Sequence, residues 1–155
     1  MSRASHTSGT HVWLVLMKAH RALARHAERS LGKADVGLSE FATLEILLHK
    51  GPRPVNEIGR TIHLTSGSIT SAVDRLEKRG LVARGTDPGD RRARIVRLTP
   101  AGEALITEVF ARHKAAMDHA AEGLSKAERI ALVDLLKKLG LSAEERFEEG
   151  ESDHD

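Results

Sequence analysis

The stretch TSGSITSAVDRLEKRGLVARGTDPGDRRARIVRLTP, residues 65–100, decides the fold of this chain. Its first part has apolar side chains at helical spacing, preceded by Thr65, which can cap a helix, and followed by Gly80, which can end one. The positions that this spacing turns toward a core are Ile69, Ala72, Val73 and Leu76. The sequence therefore predicts an amphipathic helix that exposes hydroxyl and charged side chains.

A β-hairpin is predicted directly after this helix. Apolar or β-branched residues alternate with polar ones in 81–84 and 95–98, on either side of the turn-rich tip DPGDRRAR. A polar-faced helix beside an arginine-tipped hairpin is typical of proteins that read one DNA groove and grip the next.

Charge is distributed unevenly along the chain. Segment 60–97 holds nine Lys or Arg and four Asp or Glu, a net +5, whereas the whole chain is +2. Segment 144–155 holds seven acids and one base, a net −6. The basic body suits a polyanionic partner, and we interpret the acidic end as a solvated, frayed tail.

Composition excludes several classes of protein. The 155 residues suffice for one domain with a real core, and the absence of cysteine excludes disulfides, thiol redox chemistry and zinc–thiolate sites. Apolar runs of membrane-spanning length and a signal-peptide core are also absent, so we expect a cytoplasmic protein without a membrane partner.

The order of predicted elements is helix, helix, short strand, helix, helix, hairpin and two long helices. This predicts a mostly α fold with a small β wing, a winged helix-turn-helix. We expect a disordered N-terminus (1–9), dimerisation helices (10–34 and 100–147), a DNA-binding lobe (35–99) and an acidic tail (148–155). The flanking helices are more apolar than one small core requires, which favours a two-fold homodimer over a monomeric bundle.

The spacing of apolar residues also predicts which side chains of the helix would read DNA. Short hydroxyl side chains near a helix N-terminus suit the major groove, whereas Arg75 and Lys78, further along, should meet phosphates. The outward set is Ser66, Gly67, Ser68, Thr70, Ser71, Arg75 and Lys78. The alternative is an ordinary Ser/Thr-rich cap on a solvated helix.

Two motifs resemble the MarR family of bacterial transcription regulators, SGSITSAVDRLEKRGLV (66–82) and DPGDRRARIVRLTPAG (87–102). The similarity extends over about 12–139, and GSITSAVDRLEKRG is most similar to the subgroup typified by the methylhydroquinone-responsive repressor. The resemblance implies a homodimer with interlocked terminal helices. It also implies repression at a palindromic operator, relieved by a small ligand that is usually an anionic or phenolic aromatic.

The resemblance assigns roles to the hairpin tip. Arg92 matches an arginine that enters the minor groove, and Asp90, two residues away, matches the aspartate that orients it. Arg91 and Arg94 would contact phosphates. The alternative is a solvated salt-bridge cluster.

The same family places an effector pocket between the dimerisation helices and the winged lobe. Residues of the first two helices can line it with an aromatic wall and an imidazole, which suit a phenol or an aromatic anion. They are Trp13, Met17, His20, Phe41 and His49. The alternative is that Trp13 and its neighbours form dimer core.

Metal and catalytic sites have little support in the sequence. The nine histidines include no pair at i,i+3 or i,i+4 and no HExxH motif, and neither GxSxG nor a P-loop is present. We therefore expect no metal, no cofactor and no enzymatic activity. The leading interpretation is a ligand-responsive dimeric repressor. The alternatives are a non-specific architectural DNA-binding protein and a winged-helix protein-interaction module.

Overall fold

The structure, a computed structural model, describes residues 8–86, 89 and 94–152, with side chains up to 149. It is mostly helical with one small sheet, as predicted. The elements are α1 Gly9–Gly32, α2 Leu38–Lys50, β1 Arg53–Pro54, α3 Val55–Thr61, α4 Ser66–Lys78, β2 Val82–Thr86, β3 Arg94–Leu98, α5 Pro100–Ala120 and α6 Lys126–Ser152. The chain divides into two compact units between Met117 and Asp118.

Helix α4 has the bounds and the buried face that its sequence predicts. The Thr65 hydroxyl accepts from the Ser68 amide at 3.2 Å and so caps the first turn. Gly80 adopts φ 69° and donates to the Glu77 carbonyl, while Leu81 donates to the Leu76 carbonyl, which together end the helix in a Schellman motif. The buried side chains are Ile69, Ala72, Val73 and Leu76.

The expected N-terminal boundary shifts by one residue. Ser8 accepts from the His11 amide at 3.2 Å and caps α1, so Gly9 belongs to a helix and not to a disordered N-terminus. The predicted short strand is β1, Arg53–Pro54, and Val55 opens α3. Proline fixes φ near the helical value, and the N–H that it lacks is not needed at this position. It can therefore end a strand directly before a helix.

The sheet has the order β1-β3-β2 and is antiparallel throughout. Val96 pairs with Arg53 on one side and Arg84 on the other, and its side chain is fully buried against the lobe. Helix α5 begins where the hairpin ends, because Thr99 caps it by accepting from the Gly102 amide at 3.0 Å. The hairpin therefore leads directly into α5.

The second unit consists mainly of α6. Ser125 and Glu128 form a reciprocal capping box, in which the Glu128 amide donates to the serine hydroxyl and the Ser125 amide donates to the carboxylate. The helix continues to Ser152, beyond the expected start of the tail at residue 148. None of its described side chains is buried, and those that are large, apolar and exposed are Ile130, Leu132, Val133, Leu135, Leu136, Leu139, Leu141 and Phe147. Within the described residues, no helix has both the length and the apolarity to cross a membrane.

Candidate nucleic-acid interface and ligand cavity

The outward face of α4 presents hydroxyls and cations, as its spacing predicted. All seven predicted positions, from Ser66 to Lys78, are exposed. The Thr65 hydroxyl donates to Ser68 Oγ at 2.9 Å, which leaves the hydroxyl hydrogen of Ser68 available to a partner. A Cβ placed on Gly67 would meet nothing within 4 Å. The fold therefore leaves space in which a partner can approach the N-terminus of the helix closely.

Arg75 has a partner within the protein that the sequence did not reveal. Its Nε donates to Glu40 Oε1 at 2.7 Å, although the arginine side chain remains 53% exposed. The bond uses Nε alone, so the two terminal nitrogens remain free to contact a phosphate. Arg75 is therefore held in place by α2, and its contact with a phosphate stays a prediction.

The two acids of α4 are neutralised by the wing. Arg84 on β2 donates to Asp74 Oδ1 at 2.6 Å and also to Glu77 Oε2. The hydrogen bonds that Arg84 donates to Asp74 and to Glu77 raise the pKa of Arg84 above its ordinary value. This pairing fixes β2 against α4 and leaves Lys78 as a cation without an ion pair in the described part of the chain.

The wing tip is only partly described. Asp90, Arg91 and Arg92 lie outside the described residues, so their assignment stays a prediction. Arg94 opens β3 and is exposed, in keeping with its predicted phosphate contact.

Two exposed residues of α3 also belong to this surface. Asn56 and Arg60 line a groove of about 420 Å³ together with Ser66 and Thr70 of α4. In a helix-turn-helix the first helix crosses the phosphate backbone, which suits both side chains. Arg60 was counted in the basic segment, but its place beside the α4 N-terminus depends on the turn through His63, which adopts φ 53°.

A cavity of about 730 Å³ lies between α1, α2, α5 and the α3–α4 turn. Of the five predicted effector residues, His20 and Phe41 line it, whereas Trp13, Met17 and His49 do not. Trp13 and Met17 lie seven and three residues N-terminal to His20 on α1, and Trp13 is 60% exposed. The His49 ring instead packs edge-on against Phe110, with centroids 4.9 Å apart. The lining is His20, Leu23, Ala24, Ala27, Leu38, Ser39, Phe41, Ala42, Glu45, Ile62, Leu64, His113 and Met117.

His113 also lines the cavity and was not predicted from the sequence. Its ring lies 4.6 Å from that of Phe41, and its Nδ1 lies 2.9 Å from Ser30 Oγ. Ser30 uses its single hydroxyl hydrogen on the Ala27 carbonyl at 2.7 Å. Nδ1 must therefore donate to Ser30, which leaves Nε2 of the neutral ring as a hydrogen-bond acceptor.

A metal centre finds no support in the described residues, because no three His, Cys, Asp or Glu side chains among them are arranged to hold an ion.

Comparisons with known proteins agree on one family. The MarR family model matches residues 37–93. The HTH-type transcriptional regulator MhqR of Bacillus subtilis is 37% identical over 134 residues, which cover 86% of this chain and 92% of that protein.

Solved structures match the fold over most of the chain. BpsR of Bordetella bronchiseptica, whose DNA binding is regulated by 6-hydroxynicotinic acid, has a TM-score of 0.76 and 26% identity, covering 87% of this chain and 94% of BpsR. A MarR protein of E. coli in complex with operator DNA has a TM-score of 0.75 and 22% identity, covering 83% and 92% of the two chains, which supports the fold alone.

Proposed function

The chain belongs to the MarR family of helix-turn-helix transcription regulators, which are not enzymes, and its sequence groups with MhqR. From this premise we propose that it is a homodimeric repressor that binds a palindromic operator and is released by a small aromatic ligand. The observation that carries the proposal is the outward face of α4, where hydroxyls, Lys78 and the guanidinium of Arg75 are exposed while the acids are paired with Arg84.

Exposed apolar surface supports the homodimer. The N-terminal half of α1 exposes Val12, Trp13, Leu14, Val15 and Met17, each by 40% or more. Helix α6 exposes apolar residues over most of its length. Contiguous apolar surface of this kind marks an interface, and a second copy would supply the two-fold symmetry that a palindrome requires.

DNase footprinting on the DNA upstream of the gene tests operator binding. We expect protection of a short palindrome at nanomolar protein. Uniform protection at every sequence would instead identify the protein as a non-specific architectural binder. The absence of any protection would favour a protein-interaction module.

Single substitutions on α4 should separate base reading from phosphate contact. Ser71→Ala and Thr70→Ala should change which bases are preferred, because their hydroxyls face the groove. Lys78→Ala should weaken all sequences about equally, since a phosphate contact carries no sequence information. Binding-site selection on the three variants measures this, and one unchanged motif from both hydroxyl variants would refute the assignment.

The chemistry of the cavity narrows the ligand class. Its lining contains no lysine or arginine and includes the carboxylate of Glu45, so it holds no permanent cation to neutralise an acidic ligand. The Nε2 acceptor of His113 and the ring of Phe41 instead suit an uncharged aromatic hydroxyl. Since the chain has no cysteine, it could not sense a quinone through covalent reaction with a thiol. We therefore expect the ligand to bind reversibly. We therefore infer a hydroquinone or a related neutral phenol.

Replacing His113 should weaken ligand binding while leaving the fold intact. His113→Phe keeps a ring against Phe41 but removes the acceptor, and should raise the Kd for hydroquinone by about 5- to 50-fold, the cost of an unpaired hydroxyl. His49→Phe is the matched control, because His49 also packs on a phenylalanine but does not line the cavity. Thermal shift under anaerobic conditions measures both variants. An equal shift in both, or a larger shift with salicylate than with hydroquinone, would contradict the assignment.

A further inference from the structure

Glu40 is the one buried ionisable side chain among the described residues, and both of its carboxylate oxygens are engaged. Oε1 accepts from Arg75 Nε at 2.7 Å, while Oε2 accepts from the Gly37 amide at 3.0 Å and lies 3.8 Å from Arg79 Nη1. The side chain is 7% exposed. It therefore joins the first turn of α2 to two arginines of the DNA-reading helix.

The same turn of α2 forms a wall of the ligand cavity. Ser39 and Phe41, the two neighbours of Glu40 in the sequence, line the cavity, as does Leu38. One helical turn thus presents one face to the ligand site and another to α4. Because a helical turn moves as a unit, a displacement of Phe41 also displaces the Glu40 carboxylate.

A second set of bonds ties α4 to the same region. The Arg79 guanidinium donates to the Asp35 carbonyl at 2.6 Å and to the Ala34 carbonyl at 3.2 Å, both in the α1–α2 turn. Arg75 and Arg79 are four residues apart and share one side of the helix. The C-terminal half of α4 is therefore held by the elements that surround the cavity.

We propose that Glu40 is the positioning residue that transmits occupation of the cavity to the DNA-reading helix. This inference rests on the proposed ligand-responsive function. A ligand that packs against Phe41 shifts the first turn of α2, and Glu40 carries that shift to Arg75 and Arg79. The orientation of α4 then differs between the free and the ligand-bound protein. A ligand shifts this equilibrium only by its preference for one orientation, and couplings of this kind change affinity by about 5- to 150-fold.

The test compares operator affinity with and without saturating hydroquinone in three variants. Glu40→Gln keeps the size of the side chain but removes its charge, Glu40→Asp keeps the charge on a shorter stem, and Glu108→Gln is the control. Glu108 is 74% exposed and pairs with Arg112 within α5. Hydroquinone affinity is measured separately, without DNA.

In Glu40→Gln we expect hydroquinone affinity within about threefold of wild type, while the ratio of operator Kd values with and without hydroquinone falls by about tenfold or more. Glu40→Asp should recover part of this ratio, and Glu108→Gln should keep all of it. A merely structural Glu40 would lower operator binding in Glu40→Gln but leave the ratio unchanged, and this result would overturn the inference.

A further variant separates misfolding from loss of transmission. If Glu40→Gln does not fold, as judged by circular dichroism, Arg75→Met removes the same bond from the side of α4 without a new donor, and should lower the ratio in the same way. A normal ratio in Arg75→Met would overturn the inference. If wild type protects a palindrome but its operator affinity does not respond to hydroquinone, both the proposed ligand response and this inference are wrong. If wild type and Glu40→Gln respond equally to hydroquinone, only this inference is wrong.

Discussion

Gly102→Ala should destabilise the protein by about 3–5 kcal/mol, the largest loss that we expect from any single methyl group in this chain. A Cβ at residue 102 would lie 1.9 Å from the carbonyl oxygen of Leu81 and 2.8 Å from its carbon. That carbonyl cannot retreat freely, because it accepts from the Thr99 amide at 3.1 Å. Relief of the clash requires α5 to separate from the start of β2.

The matched control is Gly67→Ala, because Gly67 also lies in the first turn of a helix but has open space where a Cβ would be. This variant should be as stable as wild type, or more stable by up to about 1 kcal/mol. Urea unfolding followed by circular dichroism measures both, at one protein concentration because the proposed dimer would contribute to stability. Equal midpoints for Gly102→Ala and wild type would show that α5 does not dock on Leu81 in this way.

The sequence predicted α4 accurately because every signal for it is local. A capping threonine, four apolar residues at helical spacing and a terminal glycine lie within 65–80, and each acts on its near neighbours. The exposed face follows from the buried one, since the two share a single periodicity. The candidate DNA-reading side chains could therefore be named before the fold was known.

The pairing of charges could not be predicted, because it depends on tertiary packing. Glu40 binds Arg75, which lies 35 residues further along the chain, and no local pattern links the two. Arg84 was likewise counted as part of a basic segment, whereas it neutralises both acids of α4. Net charge along a segment shows that a surface is basic, but not which of its cations are free.

Only part of the cavity lining was predicted from the sequence, because the rest of it also depends on tertiary packing. His20 and Phe41 follow from the helix faces of α1 and α2, but the position at which the two helices meet sets where the cavity begins, and this excludes Trp13. His113 lies on α5, which has no local motif to indicate that its middle turn packs against Ser30 and Phe41.

Operator binding should weaken steeply with salt. Once the arginines that already have an ion pair are set aside, the exposed cations of each lobe include Arg60, Lys78 and Arg94 among the described residues, with the predicted contact of Arg92 in addition. Three to four cations per lobe correspond to about 6–8 neutralised phosphates in a dimer, and hence to a log–log slope of Kobs against salt of about −5 to −7. Between 50 and 200 mM salt, affinity should therefore fall by about a thousandfold or more.

Substitutions at Arg60 and Lys126 test whether the predicted phosphate contacts produce this salt dependence. Arg60→Gln removes one phosphate contact from each copy, and the slope should become shallower by about 2 in the dimer. Lys126→Gln removes the same charge from the exposed start of α6 and should leave the slope unchanged. Fluorescence anisotropy with a labelled operator at several salt concentrations measures all three proteins. A wild-type slope shallower than about −2 would mean that fewer than two phosphates are neutralised, which two basic lobes on one operator cannot produce.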